Sequence, residues 1–189
     1  VETMTELIEY YKGIFTILSS CASRQLEEVT FRRTVIPVQE LLDAAGKYFK
    51  KLMKNRPERI ELEIESMEAK VIGDVNQLRF LLENLIDEAL TVREDGVIRL
   101  QARKDNEYIR FLFTDTRREK SVEELNQLFY PNLARMTSGE KGELRGTEYL
   151  VCKQIIRDHD EFAGRRGCRI NAEPAEGGGF TVYFTIPRR

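Results

Sequence analysis

Gly73-Asp74-Val75-Asn76-Gln77-Leu78-Arg79-Phe80-Leu81-Leu82-Glu83-Asn84-Leu85-Ile86-Asp87-Glu88-Ala89 is the stretch on which the reading of the fold turns. Gly73-Asp74 forms a cap, and Leu78, Leu81, Leu82, Leu85, Ile86 and Ala89 recur at three- and four-residue steps behind it. That spacing predicts an amphipathic helix from Val75 to about Val92 with one apolar face. Such a face must be buried against another layer.

The flanking sequence supplies that layer. Upstream, Arg59 to Glu65 alternates polar and apolar residues and predicts a half-buried strand. Ala69 to Ile72 is expected to pair with it as a hairpin. Downstream, Val97–Ala102 and Tyr108–Phe113 predict two strands joined through Asp105-Asn106. Ser121-Val122-Glu123-Glu124 is a capping box that opens a short helix carrying Leu125, Leu128 and Phe129. Residues 132–146 lack periodicity and read as a loop with three glycines. A helix from about Thr147 to Asp158 follows, then strands at Cys168–Ala172 and Phe180–Ile186 around the turn Gly177-Gly178-Gly179. Before the central stretch, residues 2–27 read as one helix with an apolar stripe. Val29–Val35 reads as a strand, and a helix starts at Pro37 and stops near Asn55-Arg56-Pro57. The expected architecture is α+β, a two-layer α/β sandwich with helices on one face of a mixed, mainly antiparallel sheet.

Composition excludes much. Thirty Lys and Arg against thirty-two Asp and Glu leave a net charge of -2 among 189 residues, which argues against a general phosphate-backbone binder. Arg165-Arg166 with Arg169, Arg188 and Arg189 accordingly reads as a solvated rim and not a nucleic-acid site. Three cysteines without C-x-x-C spacing make no disulfide framework or zinc knuckle, so a reducing compartment is expected. The single histidine, His159, cannot build a histidine-rich metal centre. It is expected to be a partly exposed residue near a helix end. No apolar run approaches the ~20 residues that span a bilayer. There is neither a signal peptide nor a starting Met, so the chain is expected to be part of a longer protein.

The motifs in order resemble a known family. Gly73-Asp74 with Asn84–Leu90 resembles the N-box helix of sensor histidine kinase ATPase domains, a group shared with gyrase B, heat-shock chaperones and mismatch-repair ATPases. Phe113-Thr114-Asp115-Thr116, then Glu124-Leu125-x-x-Leu128-Phe129, resembles its Asp-bearing strand and F-box. Tyr149 to His159 is similar to the helix after its glycine-rich lid, and Phe180 to Pro187 to its closing strand. The resemblance runs in register from about residue 29 to 187. It implies a Bergerat-type ATPase fold at 28–189, preceded by a signalling or dimerisation helix at 1–27. That helix holds no histidine, so no phosphoacceptor, and the apolar stripe favours packing on its own domain over a dimer seam.

The resemblance also implies a nucleotide site, and here the sequence departs from the pattern. Asp115 falls at the position that accepts the adenine amino group. The family's D-x-G-x-G turn is replaced by Asp115-Thr116-Arg117-Arg118-Glu119-Lys120. The magnesium-binding Asn lies fourteen residues past the Gly-Asp aspartate, which lands on Glu88, while Asn84 keeps the pattern's earlier Asn. At i and i+4 these two share a helix face and are the candidate metal ligands. A second register, with Asp87-Glu88 placed as in gyrase B, breaks the spacing from Asp74. The lid's G-x-G-L-G-L falls on Leu144 to Tyr149, leaving Gly146 alone and putting Glu148 where a glycine amide would meet phosphate.

The expectation is a degenerate ATPase domain that binds ATP and magnesium weakly or not at all. It would act as a regulatory, protein-interaction module in bacterial signalling, docking a kinase, a receiver domain or its own second copy. A cytoplasmic location is implied, as the cytoplasmic part of a membrane-anchored sensor. Two alternatives stand beside it. One is an active histidine or serine kinase with an unconventional site built from Asn84, Glu88 and Asp115. The other is a domain that binds another small ligand in the old cleft. For ATP, Arg117 and Arg118 would either grip phosphate in place of the lost amides, or fill the adenine cleft or pair with Glu148 and Glu88.

Overall fold

The computed structural model describes residues 3–8, 11–12, 31–131, 137–138 and 144–189. Residues 3–8 are helical and exposed. The rest of the helix expected at 2–27 lies outside the described residues, except for 11 and 12, which are also helical and exposed. No described helix is long and apolar enough to cross a membrane.

Among the described residues, nine strands and four further helices follow. They are β1 (Thr34–Pro37), α1 (Val38–Met53), β2 (Ile60–Ile64), β3 (Lys70–Gly73), α2 (Val75–Ala89), β4 (Gly96–Asp105) and β5 (Tyr108–Asp115). Next come α3 (Val122–Asn126), the two-residue strands β6 (Thr137–Ser138) and β7 (Leu144–Arg145), α4 (Glu148–Phe162), β8 (Ile170–Pro174) and β9 (Phe180–Pro187). Five strands make one sheet in the order β2-β4-β5-β9-β8. β2 runs parallel to β4 and every other pairing in this sheet is antiparallel, so it is mixed as expected.

The apolar side of α2 faces this sheet. Leu78, Leu81, Leu82, Leu85, Ile86 and Ala89 are all buried, with Ile98, Leu100, Phe111, Phe113, Val182, Phe184 and Ile186 from the strands. Phe111 and Phe184 sit opposite each other in the β5–β9 register, and their rings stack with centroids 4.8 Å apart. The other sheet face is charged. Arg99–Glu63 and Arg103–Glu65 pair β4 with the edge strand β2 and the residue just past it, and Arg110 lies 4.9 Å from the Tyr183 ring. β8 forms the opposite edge.

Local chemistry sets the boundaries. Asp74 Oδ1 accepts from the Gln77 N–H at 3.1 Å and caps α2. Ser121 and Glu124 complete both halves of the capping box on α3. Asn106, at φ 53, turns β4 into β5, and the three glycines 177–179 turn β8 into β9.

Three expectations need correction. β3 does not form a hairpin with β2. It pairs antiparallel with β1 in a separate two-stranded sheet, Val35 opposite Ile72. β2 instead takes β4 as a parallel partner, with α2 as the crossover. The strand expected at Val29–Val35 begins only at Thr34; residues 31–33 are irregular, and 29–30 lie outside the described residues. Within the loop expected at 132–146, β6 and β7 form a short antiparallel pair.

Candidate functional site

The site is built where β5 ends against the C-terminal end of α2. Asp115 closes β5 and is 1% exposed. Its Oδ1 accepts from the Arg117 backbone N–H and from Arg117 Nε, both at 3.0 Å. Its Oδ2 accepts from Arg117 Nη2 at 3.0 Å and from Arg118 Nε at 3.3 Å. An ionised carboxylate has about four lone-pair directions. All four are taken by the two residues that stand where the family keeps its turn glycine and that glycine's neighbour.

Arg117 is just as fully engaged. A guanidinium carries five N–H donors. Besides the two contacts to Asp115, Nη1 donates to the carbonyls of Val92 (3.0 Å) and Glu94 (2.9 Å), and Nη2 to that of Ala89 (2.6 Å). Those carbonyls belong to the end of α2 and the turn after it, where the helix dipole is negative. The Arg117 side chain is 1% exposed. Gly96 makes room for it: at φ +147, a Cβ there would fall 2.5 Å from Arg117 Cγ.

Arg118 extends the cluster outward. Its Nη1 lies 3.7 Å from Glu88 Oε1, both side chains are 16% exposed, and its guanidinium sits 5.5 Å from the Phe180 ring. The structure thus connects Asp115 and Glu88, two expected site residues, through an arginine. Asn84 is buried, and its Nδ2 donates to the Phe80 carbonyl one turn back at 2.8 Å. Gly146, at φ 81, precedes Thr147, which begins α4 without a side-chain cap bond.

Glu148, in the first turn of α4, does not pair with the arginines. Its Oε2 is buried without a hydrogen-bond partner. Burial raises the Cys152 thiol pKa far above normal, and the nearby carboxylates of Glu148 and Glu88 add to this. So Glu88 and Glu148 both bear on the seam between α2 and α4. Among the described residues no group of three or more His, Cys, Asp or Glu is placed to hold a metal.

His159 is a residue the sequence reading misjudged. It is 0% exposed, with Nδ1 2.8 Å from the Ile155 carbonyl and Nε2 accepting from the Asp74 N–H at 3.1 Å. That pattern fixes the neutral tautomer with the proton on Nδ1. Burial drives its pKa down to about 4, against a raising influence from the Ile155 hydrogen bond and the Asp74 carboxylate. The Phe31 ring meets it edge-on at 4.7 Å, and the Arg32 N–H donates to Asp74 Oδ2 at 3.0 Å. A 3.6-residue period placed it on the α4 face with Cys152, Ile155 and Ile156, and that was the available signal.

A profile of the Histidine kinase-, DNA gyrase B-, and HSP90-like ATPase family matches residues 73–189. Among solved structures, the mycobacterial sensor histidine kinase MprB superposes with a TM-score of 0.64 at 18% identity, over 84% of this chain and 99% of that one. The nucleotide-free catalytic domain of histidine kinase ThkA gives 0.64 at 21% identity, over 85% and 98%. ThkA in complex with the response regulator protein TrrA gives 0.67 at 19% identity, over 95% of this chain and 48% of that one. At these identities the likeness shows the fold. No curated protein sequence matches the chain significantly.

Proposed function

Because the chain belongs to the histidine kinase-, DNA gyrase B- and HSP90-like ATPase family, we propose that it is a histidine-kinase-type ATPase domain whose nucleotide site is filled by its own arginines. On this reading it acts as a regulatory, protein-interaction module in bacterial signal transduction. The observation that carries it is the saturation of Asp115: both carboxylate oxygens already hold two donors each. An adenine amino group arriving there would have to break a buried ion pair, and either partner left alone is costly.

The turn after Asp115 and the phosphate end support the same reading. Residues 115–120 carry no glycine where the family turn has two. Glu88 is held by Arg118, and Glu88 and Glu148 together place negative charge beside the seam where a triphosphate would lie. Magnesium takes oxygen ligands in near-octahedral geometry. With Glu88 engaged and Asn84 turned to its own helix, these residues do not fit a magnesium nucleotide. The partner classes are a kinase, a receiver domain or a second copy. The solved complex of ThkA with a response regulator supports a protein partner. The boundary at residues 27–28, with a signalling or dimerisation helix before it, belongs to this proposal, as does a cytoplasmic location.

Calorimetric titration with ATP and magnesium tests it. Losing two charge-assisted contacts, each worth ~1.5–3 kcal/mol, takes a micromolar binder to about millimolar or weaker. An affinity of ~10 micromolar or tighter would overturn the proposal and favour an active kinase built on Asn84, Glu88 and Asp115. Incubation with labelled ATP should leave no acid-labile phosphohistidine. Label lost in His159→Ala but present in the wild type would also reject it.

A further inference from the structure

Arg33, Val35, Gly164, Arg165, Pro187 and Arg188 line an open cleft of about 370 Å³ that shares no residue with the Asp115 cluster. It lies between the segment entering β1, the loop after α4 and the end of β9. Three of its residues are arginines and none is acidic, although acidic residues outnumber basic ones in the chain.

Elsewhere on the described surface, several arginines meet carboxylates. Arg93 pairs with Glu58, Arg99 with Glu63, Arg103 with Glu65, Arg110 with Asp105 and Arg166 with Asp160. In the cleft only Arg165 does so, to the exposed Glu107 at 3.0 Å. Such a pair is weak enough to yield to a ligand. The guanidinium of Arg33 lies over Gly164, just past the end of α4. Val35, Ile72, Ala163 and Pro187 give the cleft apolar lining, and Val35 is 41% exposed.

The geometry points to a binding site for a small phosphomonoester with an apolar body. Guanidiniums grip a phosphate dianion in forks, and three of them answer more charge than a single carboxylate brings. The volume is that of a small-ligand site, and the apolar lining would take the ester's body. The position gives the ligand a consequence. Arg33 follows directly on Phe31 and Arg32, which rest on His159 and Asp74. An occupant bridging Arg33, Arg165 and Arg188 would tie the segment entering the domain to α4 and the last strand.

Amide chemical-shift titration of the whole chain at constant ionic strength tests this, with phenyl phosphate, inorganic phosphate and benzoate as probes. The expectation is saturable binding of phenyl phosphate with shifts at Thr34, Gly164 and Arg165, inorganic phosphate weaker, and benzoate weakest. Arg33→Gln with Arg188→Gln should weaken phenyl phosphate by about tenfold or more while leaving the melting temperature unchanged. Arg79→Gln, at an exposed arginine on α2, should not weaken it. Equal binding of benzoate, unchanged affinity in the double variant, an equal loss in Arg79→Gln, or no saturable binding would each overturn the assignment. A phenyl phosphate site with inorganic phosphate bound equally well would exclude the apolar body.

Discussion

The two ends of α2 are held by opposite chemistry. At its start, Asp74 caps the free N–H groups and a neutral imidazole 85 residues on accepts the Asp74 N–H. At its finish, Arg117 gathers the carbonyls of Ala89, Val92 and Glu94 and neutralises Asp115. Both arrangements suit the helix dipole, with an anion at the amino end and a cation at the carboxyl end. Each also needs a glycine. Gly96 admits Arg117, and at Gly73 a Cβ would fall 2.8 Å from the His159 ring. The difference lies in what each end costs if broken. The amino end relies on neutral hydrogen bonds and one cap, while the carboxyl end encloses an ion pair away from water.

The largest effect is therefore expected at the carboxyl end. Arg117→Met leaves the buried Asp115 with Arg118 as its one cation and frees the carbonyls of Ala89, Val92 and Glu94, and it should cost about 3–5 kcal/mol in urea unfolding. Adding Asp115→Asn to that variant should recover part of the loss, because a buried charge that has lost its main partner is gone. If the two losses simply add, the pair is not coupled and the comparison fails.

At the amino end the expected effect depends on pH. His159 titrates at about 4 in the folded chain, against 6.5 when unperturbed. Between those values the unfolded chain binds more protons, so stability falls as pH drops from 6.5 through 4 and is fully present above 6.5. The full difference is about 3 kcal/mol. Other carboxylates titrate in the same range, so the readout is wild type against His159→Leu. The variant should be less stable at neutral pH and have a flatter curve across this window; parallel curves would show that the ring does not titrate as described.

The smallest effect is expected from the cap. Asp74→Ala should cost about 0.5–2 kcal/mol by loss of the side-chain acceptor. A loss as large as that of Arg117→Met would erase the distinction between the two ends.

The same contrast explains what could be read from sequence. The amino end of α2 was legible because a cap and a helical period are local, and both lie within residues 73–89. The capping box on α3 and the β4–β5 hairpin were legible for the same reason. Arg117 was not. A charged turn after Asp115 looks solvated until five acceptors from four residues converge on Arg117. The partner of β3 was equally hidden, since the short connection from β2 suits a hairpin as well as it suits the observed departure to β1. Of the expected site positions, Asp115 and Glu88 meet through Arg118, while Asn84 turns to the Phe80 carbonyl of its own helix. The arginine plug across Asp115 existed in the sequence only as one of two options.

The edges of the five-stranded sheet have a bearing on how copies of the chain behave when crowded. A net charge of -2 gives little long-range repulsion, so the exposed strand edges must protect themselves. Along β2 and just past it, Glu61, Glu63 and Glu65 are exposed, and two β2 edges brought together would set carboxylates against carboxylates. β8 is only five residues long, carries Glu173 and closes on Pro174, which has no N–H to offer a neighbouring strand. Edges blunted in this way disfavour edge-to-edge aggregation. At these two edges a neighbouring molecule meets side chains before it meets backbone.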